Sequence, residues 1–213
     1  MKYPGWLTWL LLFFPLAACC QWDYVNPVAT ADNYTSLYFT DPATGFALTT
    51  HGTLMGTVDG GNSWTKIGNV FPSSVFFLDM TFTSPLEGTL TGGLGVILHT
   101  RNGGHAWDSV PSGTEANLQA VYMYSDSVGY IAGLHGTVLK TLNGGRSWTL
   151  VQTNLDRDLY DCWFVGPSTG FVAADKSVFR TLDGGTTWNQ VLLADSGANF
   201  IRIAFADSLH GFT

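Results

Sequence analysis

The pattern Thr-x-Asp/Asn-Gly-Gly-x-x-Trp occurs four times in this chain, at Thr57–Trp64, Thr100–Trp107, Thr141–Trp148 and Thr181–Trp188. The tryptophans stand 43, 41 and 40 residues apart. A second landmark keeps the same beat: Gly45, Gly88, Gly129, Gly170 and Gly211, each closing a turn, are spaced 43, 41, 41 and 41. A period near 41 residues, held by two independent landmarks, means that one supersecondary unit is stacked repeatedly. Each unit must then bury its apolar surface against its neighbours.

Four short runs divided by turn residues make up a unit. In the third they are Ala120–Tyr124, Gly129–Ala132, Thr137–Thr141 and Trp148–Val151. Between them lie Ser125 to Val128, Leu134 to Gly136 and Asn143 to Gly145, rich in residues that bond their own backbone or accept positive φ. Four antiparallel strands per unit of this length predict a β-propeller blade. The 25 glycines and 8 prolines follow no Gly-X-Y period, so they belong to turns. The expectation is an all-β propeller over residues 19–213, with blades at 34–67, 77–110, 118–151 and 159–192 and a partial blade at 200–213. About four and a half blades of a six- to eight-bladed propeller are read here as a fragment. Trp22 to Val25 copies the fourth-strand pattern of Trp107 to Val110 and is expected to serve as an outer strand that helps close the ring.

Only 12% of the chain is charged and 46% is hydrophobic, which excludes a disordered chain. The net charge of −7 repels phosphate backbones and anionic headgroups, so no nucleic-acid partner is expected. The first residues read as an export leader: Lys2, an apolar stretch from Trp6 to Leu16, then Ala17 and Ala18. Leu16-Ala17-Ala18-Cys19 resembles a lipobox, which implies a signal peptide over residues 1–18 and lipidation of Cys19; the alternative is a plain secretory cut near Ala18. Either places the mature protein outside the cytoplasm, in the cell envelope or beyond, with membrane contact through the lipid alone. Cys162, flanked by Tyr160, Trp163 and Phe164, reads as a buried apolar side chain.

The four turns resemble the Asp-box, or BNR repeat, of sialidases and related propellers. Asp59, Asn102, Asn143 and Asp183 are suited to accept backbone N–H groups inside the turn. Gly60 and Gly61, Gly103 and Gly104, Gly144 and Gly145, and Gly184 and Gly185 supply φ values closed to other residues. Trp64, Trp107, Trp148 and Trp188 then lie over the turn and pack between layers. One carboxylate or amide per turn falls far short of the six to eight oxygens that Ca²⁺ takes, so no metal is expected. The whole unit, as in Leu159 to Phe164, Gly170 to Ala173 and Thr181 to Gly185, is similar to the Ycf48/Hcf136-like repeats. That resemblance implies a protein-binding or complex-assembly scaffold of the kind that assists photosystem II assembly, with no cofactor. Its photosynthetic members are associated with a basic patch, whereas this chain is acidic with scattered arginines.

A glycoside hydrolase of sialidase-like or xyloglucanase-like type is the alternative, with its catalytic residues outside this stretch. The three convergent arginines of a sialidase have no counterpart: Ile201-Arg202-Ile203 lacks the proline of an Arg-Ile-Pro segment, and Arg101, Arg146 and Arg180 sit at the box turns. By strand parity the other face carries the candidate binding residues. His51 and His135 stand six residues after their landmark glycines, with Lys176 in the corresponding loop. Nine residues before the landmark glycines stand Ser36, Asp79, Ala120, Asp161 and Arg202, expected to ring the mouth of a central channel or to bond the backbone of the next blade. Inter-blade loops add Glu115, Asn117, Asp156, Arg157, Asp158 and Asn199 to that face, a setting suited to protein recognition.

Overall fold

The computed structural model describes residues 32–69, 75–194, 201–205 and 210–213. The expected leader, Cys19, Trp22 to Val25 and Asn199 lie outside the described residues. Four antiparallel four-stranded sheets follow one another along the chain. Blade one is β1 (Tyr34–Phe39), β2 (Gly45–Thr49), β3 (Thr53–Thr57) and β4 (Thr65–Asn69). Blade two is β5 (Phe77–Phe82), β6 (Gly88–Gly92), β7 (Ile97–Thr100) and β8 (Asp108–Val110). β9 (Leu118–Met123), β10 (Gly129–Gly133), β11 (Val138–Thr141) and β12 (Thr149–Val151) form blade three. Blade four is β13 (Asp161–Phe164), β14 (Gly170–Ala174), β15 (Ser177–Thr181) and β16 (Asn189–Leu193), and β17 (Ala204–Phe205) pairs with β18 (Gly211–Phe212) in the fifth repeat. Within every blade the strand order is simply sequential, as short hairpin turns dictate.

The landmark glycines are required by space. Each pairs across the first hairpin with a bulky side chain, Gly88 with Phe82 and Gly170 with Phe164, whose ring lies flat over the glycine. A Cβ at Gly170 would come 2.4 Å from that ring, and one at Gly88 2.6 Å. The covered ring then meets its own blade's box tryptophan edge-on: Phe39 and Trp64, Phe82 and Trp107, Phe164 and Trp188 lie 6.0 to 6.2 Å apart at 77 to 84°. The residue after the landmark glycine reaches forward, so that Phe46 stacks on Phe82 and Tyr130 on Phe164 across successive blades. Glycine, ring and tryptophan are thus one packing device in blades one, two and four, while in blade three Met123 covers Gly129 in place of a ring.

Two local differences from the sequence expectation have clear causes. The last strand of blade three begins at Thr149 rather than Trp148, because the Trp148 indole turns back and donates Nε1–H to the Gly145 carbonyl at 3.1 Å. Blade four begins at Asp161 rather than Leu159, because the Leu159 N–H is taken by the Gly133 carbonyl of blade three.

Apolar side chains between blades form the core, in clusters that join blades one and two, two and three, and three and four. Met80, Val121, Cys162 and Ile203, at one equivalent position, are 2 to 6% exposed. Leu37 holds that position in blade one and is 61% exposed, since no preceding blade is present among the described residues to cover it. Fully burying a leucine is worth about 1.5–3 kcal/mol, so each inter-blade joint is a substantial share of the stability.

Candidate functional site

The first strands of the repeats converge on a cavity of about 340 Å³, lined among others by Ser36, Tyr38, Asp79, Asp161, Trp163 and Arg202. A neighbouring space of about 320 Å³ is lined by all five repeats, through Thr35, Leu78, Gln119, Tyr160 and the pair Ile201 and Arg202. Thr35 and Arg202 line both spaces, and the larger brings Asp79, Asp161 and Arg202 to one place, and Ser36 with them.

Side chains nine residues before the landmark glycines reach forward to the next blade's backbone. Ser36 Oγ accepts the Met80 N–H at 3.3 Å, Asp79 Oδ2 the Val121 N–H at 3.0 Å, and Asp161 Oδ2 the Ile203 N–H at 2.8 Å. At Ala120 the relay has no acceptor, and the Cys162 N–H turns to Asp161 Oδ1 at 2.9 Å. Asp79 also accepts from Ser36 Oγ at 2.8 Å, so a single carboxylate ties blades one, two and three. Burial raises the pKa of Asp79, against the pull of the Val121 and Ser36 hydrogen bonds. Asp161 is raised to about 6 by burial, offset in part by the Ile203 N–H and the positive charge of Arg202.

The remaining candidates on this face are held in turn geometry. His51 Nδ1 lies 2.8 Å from Asp32 Oδ1, and the His51 N–H donates to Asp32 Oδ2 at 3.0 Å. His135 takes φ 58° and its N–H donates to Asp158 Oδ1 at 2.9 Å. The equivalent Leu94, at φ 55°, donates to Asn117 Oδ1 at 3.1 Å. Lys176 is exposed beside Asp175, whose carboxylate accepts the Tyr160 hydroxyl at 3.0 Å. The two histidines are not brought together, and among the described residues no three His, Cys, Asp or Glu side chains converge as a metal site. What the face offers is a set of exposed loop residues fixed by inter-blade hydrogen bonds to a rigid frame.

The opposite face carries the boxes. Asp59 Oδ1 accepts the Ser63 N–H at 2.9 Å, and Asn102, Asn143 and Asp183 accept the corresponding N–H groups of Ala106, Ser147 and Thr187 at 2.8 to 2.9 Å. Hydrogen bonds from the Ser63 and Thr187 hydroxyls and backbone bring Asp59 and Asp183 down to about 2. All eight box glycines have φ between 68 and 99°.

The family of the photosynthesis system II assembly factor YCF48 matches over residues 14–113 and again over 69–156, together most of the chain. The chain belongs to this family. Among solved structures, YCF48 bound to a D1 peptide is similar at 18% identity and a TM-score of 0.52, over 86% of this chain and 90% of that one. An ancestral GH74 enzyme is similar at 20% identity and 0.64, over 82% of this chain, which spans 26% of the enzyme. The WD40 propeller of Doa1 gives 15% and 0.64 over 86% of this chain and 62% of its own. At these identities the likeness is one of fold. No curated sequence matches the chain.

In this YCF48-family chain the box threonines have a bonding role that the repeat pattern alone does not show. The threonines that open the boxes each accept two N–H groups through Oγ1: Thr57 takes Asp59 and Gly61, and Thr100, Thr141 and Thr181 repeat this at 2.9 to 3.3 Å. Each also donates to the box Asp or Asn. The signal was present, since Thr begins all four boxes, but its hydroxyl is buried at the centre of the turn and only the fold shows that.

Proposed function

We propose that this protein is a lipid-anchored, extracytoplasmic propeller that binds another protein, or an envelope component, as an assembly scaffold. Membership of the YCF48 family carries the reading, together with the likeness to YCF48 bound to a D1 peptide. The face opposite the boxes is the proposed contact surface. Its Asp156, Arg157, Asp158, Asp175 and Lys176 lie on loops held by backbone bonds such as Gly136 N–H to Arg157 O, so binding orders little additional chain. An acidic chain selects a partner segment carrying basic groups, in contrast to one that binds a basic patch. Lipidation at Cys19 would hold the propeller at a membrane, leaving the face free on its tether.

Cross-linking in the native membrane fraction, followed by mass spectrometry, tests this. Cross-links from Lys176 to one reproducible protein, weakened by Asp156→Lys and Asp158→Lys, are the expected result. Cross-links spread over unrelated proteins and indifferent to the charge reversals would overturn it. The mass of the N-terminal peptide reports the lipid independently. Glycoside hydrolysis, suggested by the GH74 likeness, is less well supported, because Asp79 and Asp161 hold backbone N–H groups of the next blade.

A further inference from the structure

Three of the four joints between consecutive repeats are closed by an aromatic pair. Phe46 stacks on Phe82 at 3.9 Å, Tyr130 on Phe164 at 3.4 Å, and Phe171 meets Phe205 at 4.4 Å. At the joint of blades two and three the same positions hold Thr89 and Met123, which cannot stack. Polar groups stand there instead. His99, 2% exposed on β7, places Nδ1 3.4 Å from Thr89 Oγ1, beneath the box of blade three. Gly145 of that box sits so close that a Cβ would come 2.5 Å from Thr89 Oγ1 and 3.4 Å from His99 Nδ1. The other ring nitrogen, Nε2, is buried and has no hydrogen-bond partner. Glu87 Oε2 lies 3.8 Å from it, too far for a hydrogen bond. The second Glu87 oxygen accepts Arg146 Nη2 of blade three at 2.7 Å. Among the described residues this is the only ion pair between an arginine or lysine and a carboxylate.

We propose that His99, Glu87 and Arg146 form an acid-released latch between blades two and three, in which proton uptake by the His99 imidazole draws Glu87 away from Arg146 and opens the joint. The unpartnered Nε2 becomes a donor when protonated, and a shift of ~1 Å brings Glu87 Oε2 into hydrogen-bond range. Glu87 and His99 both belong to blade two. The exchange therefore replaces an ion pair across the joint by one within a single blade, and the half-exposed Arg146 is released to solvent. Around the imidazole, Glu87 and Asp108 favour its charge, while Arg101 and Arg146 oppose it. Burial is the largest influence and lowers His99 below 6.5. The closed joint accordingly prefers the neutral ring: its stabilisation is complete above pH 6.5 and is lost as pH falls below that value.

The test is a pH titration of the ¹⁵N-labelled full chain from 7.5 to 5, following the His99 ring, the Arg146 side chain and exchange of the Gly145 amide. The Arg146 resonance is expected to move to its solvent-exposed position with the midpoint of His99. Gly145 exchange, corrected for intrinsic pH dependence, should rise by up to a factor of about ten per pH unit. His99→Gln should abolish both responses. Glu87→Gln keeps the histidine but frees Arg146 already at pH 7.5, so the acid step disappears; it decides the matter if His99→Gln does not fold. An Arg146 that stays paired throughout the His99 titration, or an unchanged acid step in either variant, overturns the latch.

Discussion

Asp79 accepts the N–H of Val121 at 3.0 Å, across a joint between blades and 42 residues along the chain. Its other oxygen accepts the Ser36 hydroxyl of the blade before. A carboxylate at this position is a fastener that reads the blade spacing, and its chemistry is therefore structural even though it lines a cavity.

Removing the acceptor tests that role. Asp79→Ala leaves the Val121 N–H and the Ser36 hydroxyl unsatisfied and should cost about 1–3 kcal/mol in urea unfolding. Asp79→Asn keeps one oxygen and sheds a buried charge, and should cost less than about 1 kcal/mol. Equal losses in the two variants would contradict the fastener.

Acidity acts on Asp161 with a definite sign. Its folded pKa of about 6 lies above its ordinary 3.8, so the native state binds more protons between these values. The resulting stability is complete below pH 3.8 and is lost as pH rises through 6. Asp59 and Asp183, at about 2, behave oppositely: their contribution is complete above 3.8 and is lost as pH falls toward 2. Thermal melts of wild type and Asp161→Asn should nearly coincide at pH 4 and diverge toward pH 7, with the variant gaining. A gap independent of pH would refute the assignment.

The box tryptophans should not be equivalent. Trp148 and Trp188 are 8% and 3% exposed, whereas Trp64 and Trp107 are only partly buried. Trp148→Ala should destabilise by about 3–5 kcal/mol, and Trp64→Ala by clearly less. Calorimetry of the two variants checks the order.

Box glycines divide in a similar way. A Cβ at Gly61 meets nothing closer than 3.7 Å, so Gly61→Ala should cost mainly its φ of 90°, about 1–2 kcal/mol. Gly104→Ala adds a clash with Leu54 at 2.4 Å and should be worse. Chemical denaturation would show the model of the turn to be mistaken if the two variants lost the same amount.

Cys162 is fully enclosed, its Sγ 3.9 Å from the Tyr130 carbonyl oxygen, and burial pushes the thiol well above its usual range. Iodoacetamide should leave it unmodified in the native protein and alkylate it after denaturation, as peptide mass mapping would report.

The blades were legible because two landmarks, Gly and Trp, recur at a fixed distance and each has a local reason. Gly170 must admit the Phe164 ring, and Trp188 must cap its own turn. The reach of Asp79 and Asp161 to the next blade was also readable, since their position recurs with the period. The Glu87–Arg146 pair was not: these residues are 59 apart, off the period, and meet only because the box of one blade overhangs the first turn of another. Nor does a sequence reveal that His99 Nε2 lacks a partner, because that depends on what the packed neighbours withhold.

The substitution of Thr89 and Met123 for an aromatic pair divides the array unevenly. Blades one and two share one apolar cluster and blades three and four another, each with its stacked rings. Blades two and three have an apolar cluster of their own, from Ile97 and Val110 to Leu118 and Ile131, so the polar seam is confined to the box face, and exchange should be fastest there while the apolar side of the same joint stays closed.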